Sequence, residues 1–307
     1  MAADATARAR AGDGDRARPE KAAKPGDKRR DAARLPWAHL RLPPFPQIAL
    51  RVLQLAHNEN VSLPQLCELI STDPAFASEV LQVANSVLYA PRYPSNSILQ
   101  AISVLGANTL QGMCITVGVR AYLGKTMSLP ALRALWRHNL ACALIAERLA
   151  SQGIIDKDVA YTAGVLHDMG RIGLAVVQPQ AYAALLNASR GPSAGILDAE
   201  RELFGLDHCE TGLQLVADWK LPREFEPIVS QHHACRRKDG AWNRAELVKV
   251  ACKLADAAGY PAFAAAATVP FADLLEELPA RERRLFFPDV AALSAEIAER
   301  IHAIESV

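Results

Sequence analysis

VAYTAGVLHDMGRIGL, Val159 to Leu174, is the stretch whose reading decides the fold. Val159, Ala163, Leu166 and Gly170 recur at helical spacing, so one face of the segment is expected to be buried. The run carries straight into His167-Asp168 and is expected to break at Gly170, which sets the His-Asp pair near a helix C-terminus. Such an end favours positive charge, so a cation there would complement both the dipole and the carboxylate. An imidazole nitrogen beside a carboxylate oxygen suits a divalent ion such as Mn, Fe, Mg or Zn. Taken alone, the two residues are more simply a salt-linked pair closing a core helix, and only the rest of the chain can supply a context.

The 307 residues can hold one large or two compact domains, and their composition, half apolar and 6% aromatic with Ala and Leu prominent, leans towards helix. Charge is uneven. Residues 1–34 carry ten Lys/Arg against six Asp/Glu, whereas the remainder is at −3, which argues against nucleic acid as a main partner. Those first 34 residues contain no Leu, Ile, Val or aromatic, so they are expected to form a disordered basic arm. The cysteines Cys67, Cys114, Cys142, Cys209, Cys235 and Cys252 are scattered without a CxxC pair, as reduced thiols are. No apolar run is long enough to cross a bilayer and no signal-peptide stretch opens the chain, so a cytoplasmic location is expected.

Outward from the His-Asp stretch, capping signals predict further helices. Pro46 opens one carrying Ile48, Val52 and Leu53; Ser62 with Gln65 caps a second; Asp73-Pro74 starts a third; Ser97 with Gln100 a fourth; Asn108 with Gln111 a fifth, running to Gly124. A long helix follows from Pro130 to Ser151, with His138 on its apolar side near Cys142. After the His-Asp helix a looser region is expected up to Pro192. Asp207 and Glu210 cap a helix with His208 in its first turn, Arg223–His233 reads as another ending in His232-His233, and Glu246–Ala258 as a third. Asp256 sits beside that last stripe and reads as a paired surface carboxylate. A final helix from about Asp289 carries Val290, Leu293, Ile297, Ile301 and Ile304, a stripe for self-packing or for pairing with a second subunit as a homodimer.

Each polar residue has an ordinary explanation, but their order is harder to dismiss. His138, His167-Asp168, His208, His232-His233 and Asp256 contribute about one group per helix, as bundles do when they build a metal site. The ordered series His138, His167-Asp168, Asp256 resembles the HD superfamily of metal-dependent phosphohydrolases. LPPFPQIALRVLQL, ISTDPAFASEVLQVANSVLY, SILQAISVLG and AGVLHDMGRIGL together resemble the HDOD domain, the HD-related module of bacterial signalling proteins, over roughly residues 38–258.

The resemblance implies an all-α, two-lobed helical bundle: an N-terminal HDOD lobe over residues 35–124, an HD-like lobe over 125–260 and a helical extension over 261–307. It implies a candidate metal set of His138, His167, Asp168, His208, His232, His233 and Asp256, for one or two divalent ions (Mn, Fe or Mg). In an active relative Asp168 would bridge two ions and Arg171 would neutralise phosphate charge. Three departures separate the chain from the HD-GYP cyclic-di-GMP phosphodiesterases. ACRRKDG follows His233 in place of a Gly-Tyr-Pro loop, Ala134 stands one turn before His138, and Arg171 replaces the usual lysine. The expectation is therefore a signalling module that binds another signalling protein or a nucleotide second messenger without turnover, with metal-dependent phosphohydrolysis as the alternative.

Overall fold

Apolar residues at helical spacing, separated by polar caps, make the chain all-α, with no strand among the described residues. The structure is a computed structural model and describes residues 42–55, 62–86, 89, 91–151, 155–189, 193–233, 243–263, 269–276, 278, 280–286 and 289–306. The expected basic arm lies outside them.

Helices α1 (Gln47–Leu55), α2 (Leu63–Ser71), α3 (Pro74–Ala84), α4 (Ile98–Leu105) and α5 (Ala107–Leu123) form the first part. Their starts follow from local chemistry. Gln65 accepts from the Ser62 amide at 2.9 Å, Asp73 from the amides of Ala75 and Phe76, and Ser97 from that of Gln100, so each cap satisfies amides the helix itself cannot. α5 differs from expectation: it starts at Ala107, after Gly106 at a left-handed φ of 90°, and Gln111 is buried rather than capping.

The second part comprises α6 (Pro130–Ala150), α7 (Lys157–Leu166), α8 (Met169–Val177), α9 (Pro179–Ala188), α10 (Ser193–Phe204), α11 (His208–Asp218), α12 (Glu226–Gln231) and α13 (Arg244–Ala257). α6 is its axis, packed against α7, α9 and α13. At Gly164 the α6–α7 approach is close enough that a Cβ would lie 2.4 Å from Ala143 Cα. The parts share one buried apolar core. Phe45 and Tyr122 of the first part meet Trp219 of the second at centroid distances of 4.7 and 5.6 Å.

Beyond α13 come α14 (Phe271–Glu276), α15 (Ala280–Arg283) and α16 (Val290–Glu305). α16 is capped by Asp289 and lies on α6, with Leu293, Ile297, Ile301 and Ile304 buried. That stripe is thus used within the chain. No described helix is long and apolar enough to cross a membrane.

Two further stretches differ from the sequence reading. The looser region before Pro192 is two helices, α8 and α9, divided at Gln178 because Pro179 restarts the chain at a first-turn position. Arg223–His233 is not one helix but a 3-10 turn, Arg223–Phe225, followed by the short α12, so His232 and His233 stand just past a helix end.

Candidate metal centre

α7 ends at Leu166 and α8 begins at Met169, so His167 and Asp168 form the corner between two helices. The break therefore falls ahead of Gly170, where it was expected. Gly170 serves a close approach instead: a Cβ there would sit 1.8 Å from the carbonyl oxygen of His208. The contact presses α8 onto α11 and sets His208, the first residue of α11, beside Asp168.

Four imidazoles obey one rule: Nδ1 donates to an oxygen, leaving Nε2 to face inward. His138 donates to Tyr260 O at 2.7 Å and His167 to Gly164 O at 2.7 Å. His232 donates to Ile228 O at 3.0 Å, and His208 to Glu200 Oε2 at 2.6 Å. Metal-binding histidines are commonly oriented in this way by an outer acceptor. The inward nitrogens of His232 and His208 lie 3.4 and 3.6 Å from Asp168 Oδ1. His167 Nε2 lies 3.5 Å from Asp168 Oδ2, and His208 Nε2 is 2.8 Å from His233 Nε2.

These groups meet at a cavity of about 320 Å³ lined by His138, His167, Asp168, Arg171, His232, His233, Cys252 and Asp256, with Lys249 and Lys253 at its edge. His208 stands behind it, against His233. A hollow of about 640 Å³ beside Pro130, Arg137 and Tyr260 contains none of these ligands. Asp256 meets His138 on its outer side, 3.4 Å from Nδ1. It is more enclosed than a surface carboxylate, and burial pushes its carboxyl up to about 6.

Burial lowers the His167 imidazole, but Cys252 and Asp168 beside it carry it up to about 9. Burial raises Asp168, yet Arg171 and then His167 outweigh it and hold the carboxyl well below its ordinary value. Arg171 Nε lies 3.1 Å from Asp168 Oδ2, an ion pair without hydrogen-bond alignment, and both side chains are at most 2% exposed. His232 and His233 are lowered, first by burial.

Asp168 Oδ1, His232 Nε2 and Asp256 Oδ1 are buried without a hydrogen-bond partner. An unsatisfied buried polar atom costs about 1–3 kcal/mol. A cation between the first two would give both a partner, so these residues fit a divalent ion. Among the described residues three overlapping groups have ligand atoms all within 4.8 Å of one another: His138, Cys142, His167 and Cys252; His167, Asp168 and His232; and His208, Cys209, His232 and His233. Asp256 belongs to none of them.

The sequence reading missed Glu200, which is fully buried and accepts from both the backbone amide and Nδ1 of His208 and from Tyr182 Oη. Its signal was an acidic residue on the stripe of Ile196 and Phe204. It also missed Cys142 and Cys252 as site residues, one turn after His138 and one turn before Asp256.

A family model for the HDOD domain matches residues 42–235. The chain is 26% identical over 198 residues to an uncharacterized protein of Treponema pallidum (strain Nichols), covering 62% of this chain and 37% of that protein. It therefore spans little more than a third of the length of that curated relative. Among solved structures, an HDOD domain protein of unknown function from Geobacter sulfurreducens superimposes with a TM-score of 0.64 at 22% identity, over 88% of this chain and 93% of its own. A proposed phosphohydrolase from Shewanella amazonensis SB2B gives 0.58 at 22% identity, over 86% and 94%. A proposed signal transduction protein from Marinobacter aquaeolei VT8 gives 0.63 at 24%, over 88% and 62%. At these identities the likeness shows the helical fold. Because the family model spans more than half of the 307 residues, the chain belongs to the HDOD family.

Proposed function

We propose that this chain is a signal-transduction module whose HD-like lobe holds a divalent cation and responds to a bound signalling protein or nucleotide messenger without turning it over. His138, His167 and Asp168, with His208, His232 and His233 on the far side, are the residues offered to one or two ions, and Asp256 backs His138 from its outer side. A bound ion would supply positive charge and Lewis acidity to the cavity. The family membership and the fold shared with a proposed signal transduction protein support the signalling role.

The observation that carries the absence of turnover is the ion pair of Arg171 with Asp168. A carboxylate that bridges two ions in the two-oxygen mode must turn both oxygens to metal, and here Oδ2, although it also faces His167, is paired with a buried guanidinium that the site cannot easily release. Oδ1, which carries no such ion pair, is directed at His208 and His232. The second reading, phosphohydrolysis, is favoured by Lys249 and Lys253, which line the cavity near Arg171 and would suit a phosphate.

The test is metal content together with a hydrolysis panel of nucleotides and cyclic dinucleotides, on protein purified from Mn- and Fe-supplemented medium. The expected result is bound metal with no more turnover than His167→Ala shows. Metal-dependent hydrolysis that disappears in His167→Ala would overturn the proposal.

A further inference from the structure

Four of the inward-facing atoms form a group that the carboxylates do not enter. His138 and Cys142 lie one turn apart on α6, with His138 Nε2 3.3 Å from Cys142 Sγ. Across the cavity His167 Nε2 lies 3.3 Å from Cys252 Sγ on α13. All four ligand atoms are within 4.8 Å of one another. A tetrahedral zinc shell with Zn–S near 2.3 Å and Zn–N near 2.0–2.1 Å has edges of about 3.3–3.8 Å. The nitrogen–sulfur edge of such a shell is about 3.5–3.6 Å, and both nitrogen–sulfur distances lie a few tenths of an ångström inside it, so a modest adjustment closes the shell.

Each imidazole already presents the required nitrogen. Tyr260 O and Asp256 lie on the Nδ1 side of His138, and Gly164 O accepts from Nδ1 of His167. Asp256 thus stands where an outer carboxylate orients a metal-bound histidine. Charge points the same way. Two thiolates and two neutral imidazoles cancel a divalent cation, so a buried ion here leaves no net charge, and Asp168 is already matched by Arg171. The ordinary alternative is a hydrogen-bonded cluster in which Cys252 contacts Cys142, His138 and His167; metal loading separates the two, because only a cation converts both thiols to thiolate ligands.

We propose that His138, Cys142, His167 and Cys252 form a closed tetrahedral site for a thiophilic divalent cation, zinc by ligand type, with Asp256 as its outer partner rather than a ligand. On binding, the protons held by the two Cys–His pairs, on sulfur or on imidazole Nε2, leave to solvent, and four metal–ligand bonds form to two thiolates and two neutral imidazoles. Four protein ligands leave no open position, as in structural rather than catalytic zinc sites. This deepens the reading above and rests on it only in taking the cavity for a cation site.

The test is cobalt(II) loading of the full chain, with optical spectra of the wild type and of Cys142→Ser, Cys252→Ser and Asp256→Asn. The expected result is a sulfur-to-cobalt charge-transfer band with strong tetrahedral d–d absorption. Either cysteine variant should lose the intensity and lower zinc affinity by more than the roughly 10–100-fold that removal of an outer partner costs, and Asp256→Asn by no more than that. Should the variants fold poorly by circular dichroism, X-ray absorption at the zinc edge of the unmodified protein decides, with sulfur at about 2.3 Å expected. Weak octahedral spectra, or a shell of oxygen and nitrogen alone, would overturn the thiolate site while leaving the cavity a cation site. An absence of binding would overturn both.

Discussion

Gly170→Ala should destabilise the protein by about 3 kcal/mol or more, at or beyond the upper end of ordinary overpacking. The new methyl would lie 1.8 Å from His208 O and 2.8 Å from the Gly212 amide nitrogen, both of them backbone atoms of α11. Backbone cannot rotate aside as a side chain can, so α8 and α11 must separate. Separation also moves His208 away from Asp168, and cation affinity should fall with stability. Gly195→Ala is the control: a Cβ there meets nothing within 4 Å, and alanine favours a helix by about 0.8–1.0 kcal/mol over glycine. Urea denaturation checks the pair. Similar midpoints for Gly170→Ala and wild type would show that the α8–α11 approach is not as tight as described.

Glu200→Ala should be nearly as damaging. Its carboxylate accepts from His208 N at 2.8 Å, His208 Nδ1 at 2.6 Å and Tyr182 Oη at 2.6 Å, all without solvent. Removing one member of a buried charged network typically costs about 3–5 kcal/mol, because the partners stay buried and unpaired. The imidazole also loses the acceptor that fixes its tautomer, which should weaken any cation contact through Nε2 by roughly 10–100-fold. Glu200→Gln keeps one oxygen acceptor and should lose less of both. Unfolding and metal titration on the two variants separate these effects, and equal losses would mean that packing, not the carboxylate charge, is what matters.

The contrast between Glu200 and the helix caps explains what could be read in the sequence. Ser62 with Gln65, Asp73 with Phe76 and Asp207 with Glu210 complete their hydrogen bonds within three residues, so local order was enough to find them. The ordered histidines and aspartates were also legible, as one chemical group per helix. The corner at His167-Asp168 was not, because it depends on the contact of Gly170 with His208, far along the chain. Cys142 and Cys252 are 110 positions apart and gave no spacing signal. His232 and His233 stood in a run that reads as continuous helix, yet Pro227 confines α12 to a short segment after a 3-10 turn. Glu200 was hidden because nothing near it in sequence tells a buried acceptor from an exposed charge.

The claim on which the account depends is that these dispersed groups meet to hold a cation. Isothermal titration of the metal-stripped protein with zinc and with manganese, on wild type and His167→Ala, tests it most directly, since His167 belongs to two of the three tight ligand groups. The account predicts stoichiometric, saturable binding by the wild type that is lost in His167→Ala while the helical circular dichroism persists. No binding by a folded wild type, or equal binding by both proteins, would contradict it.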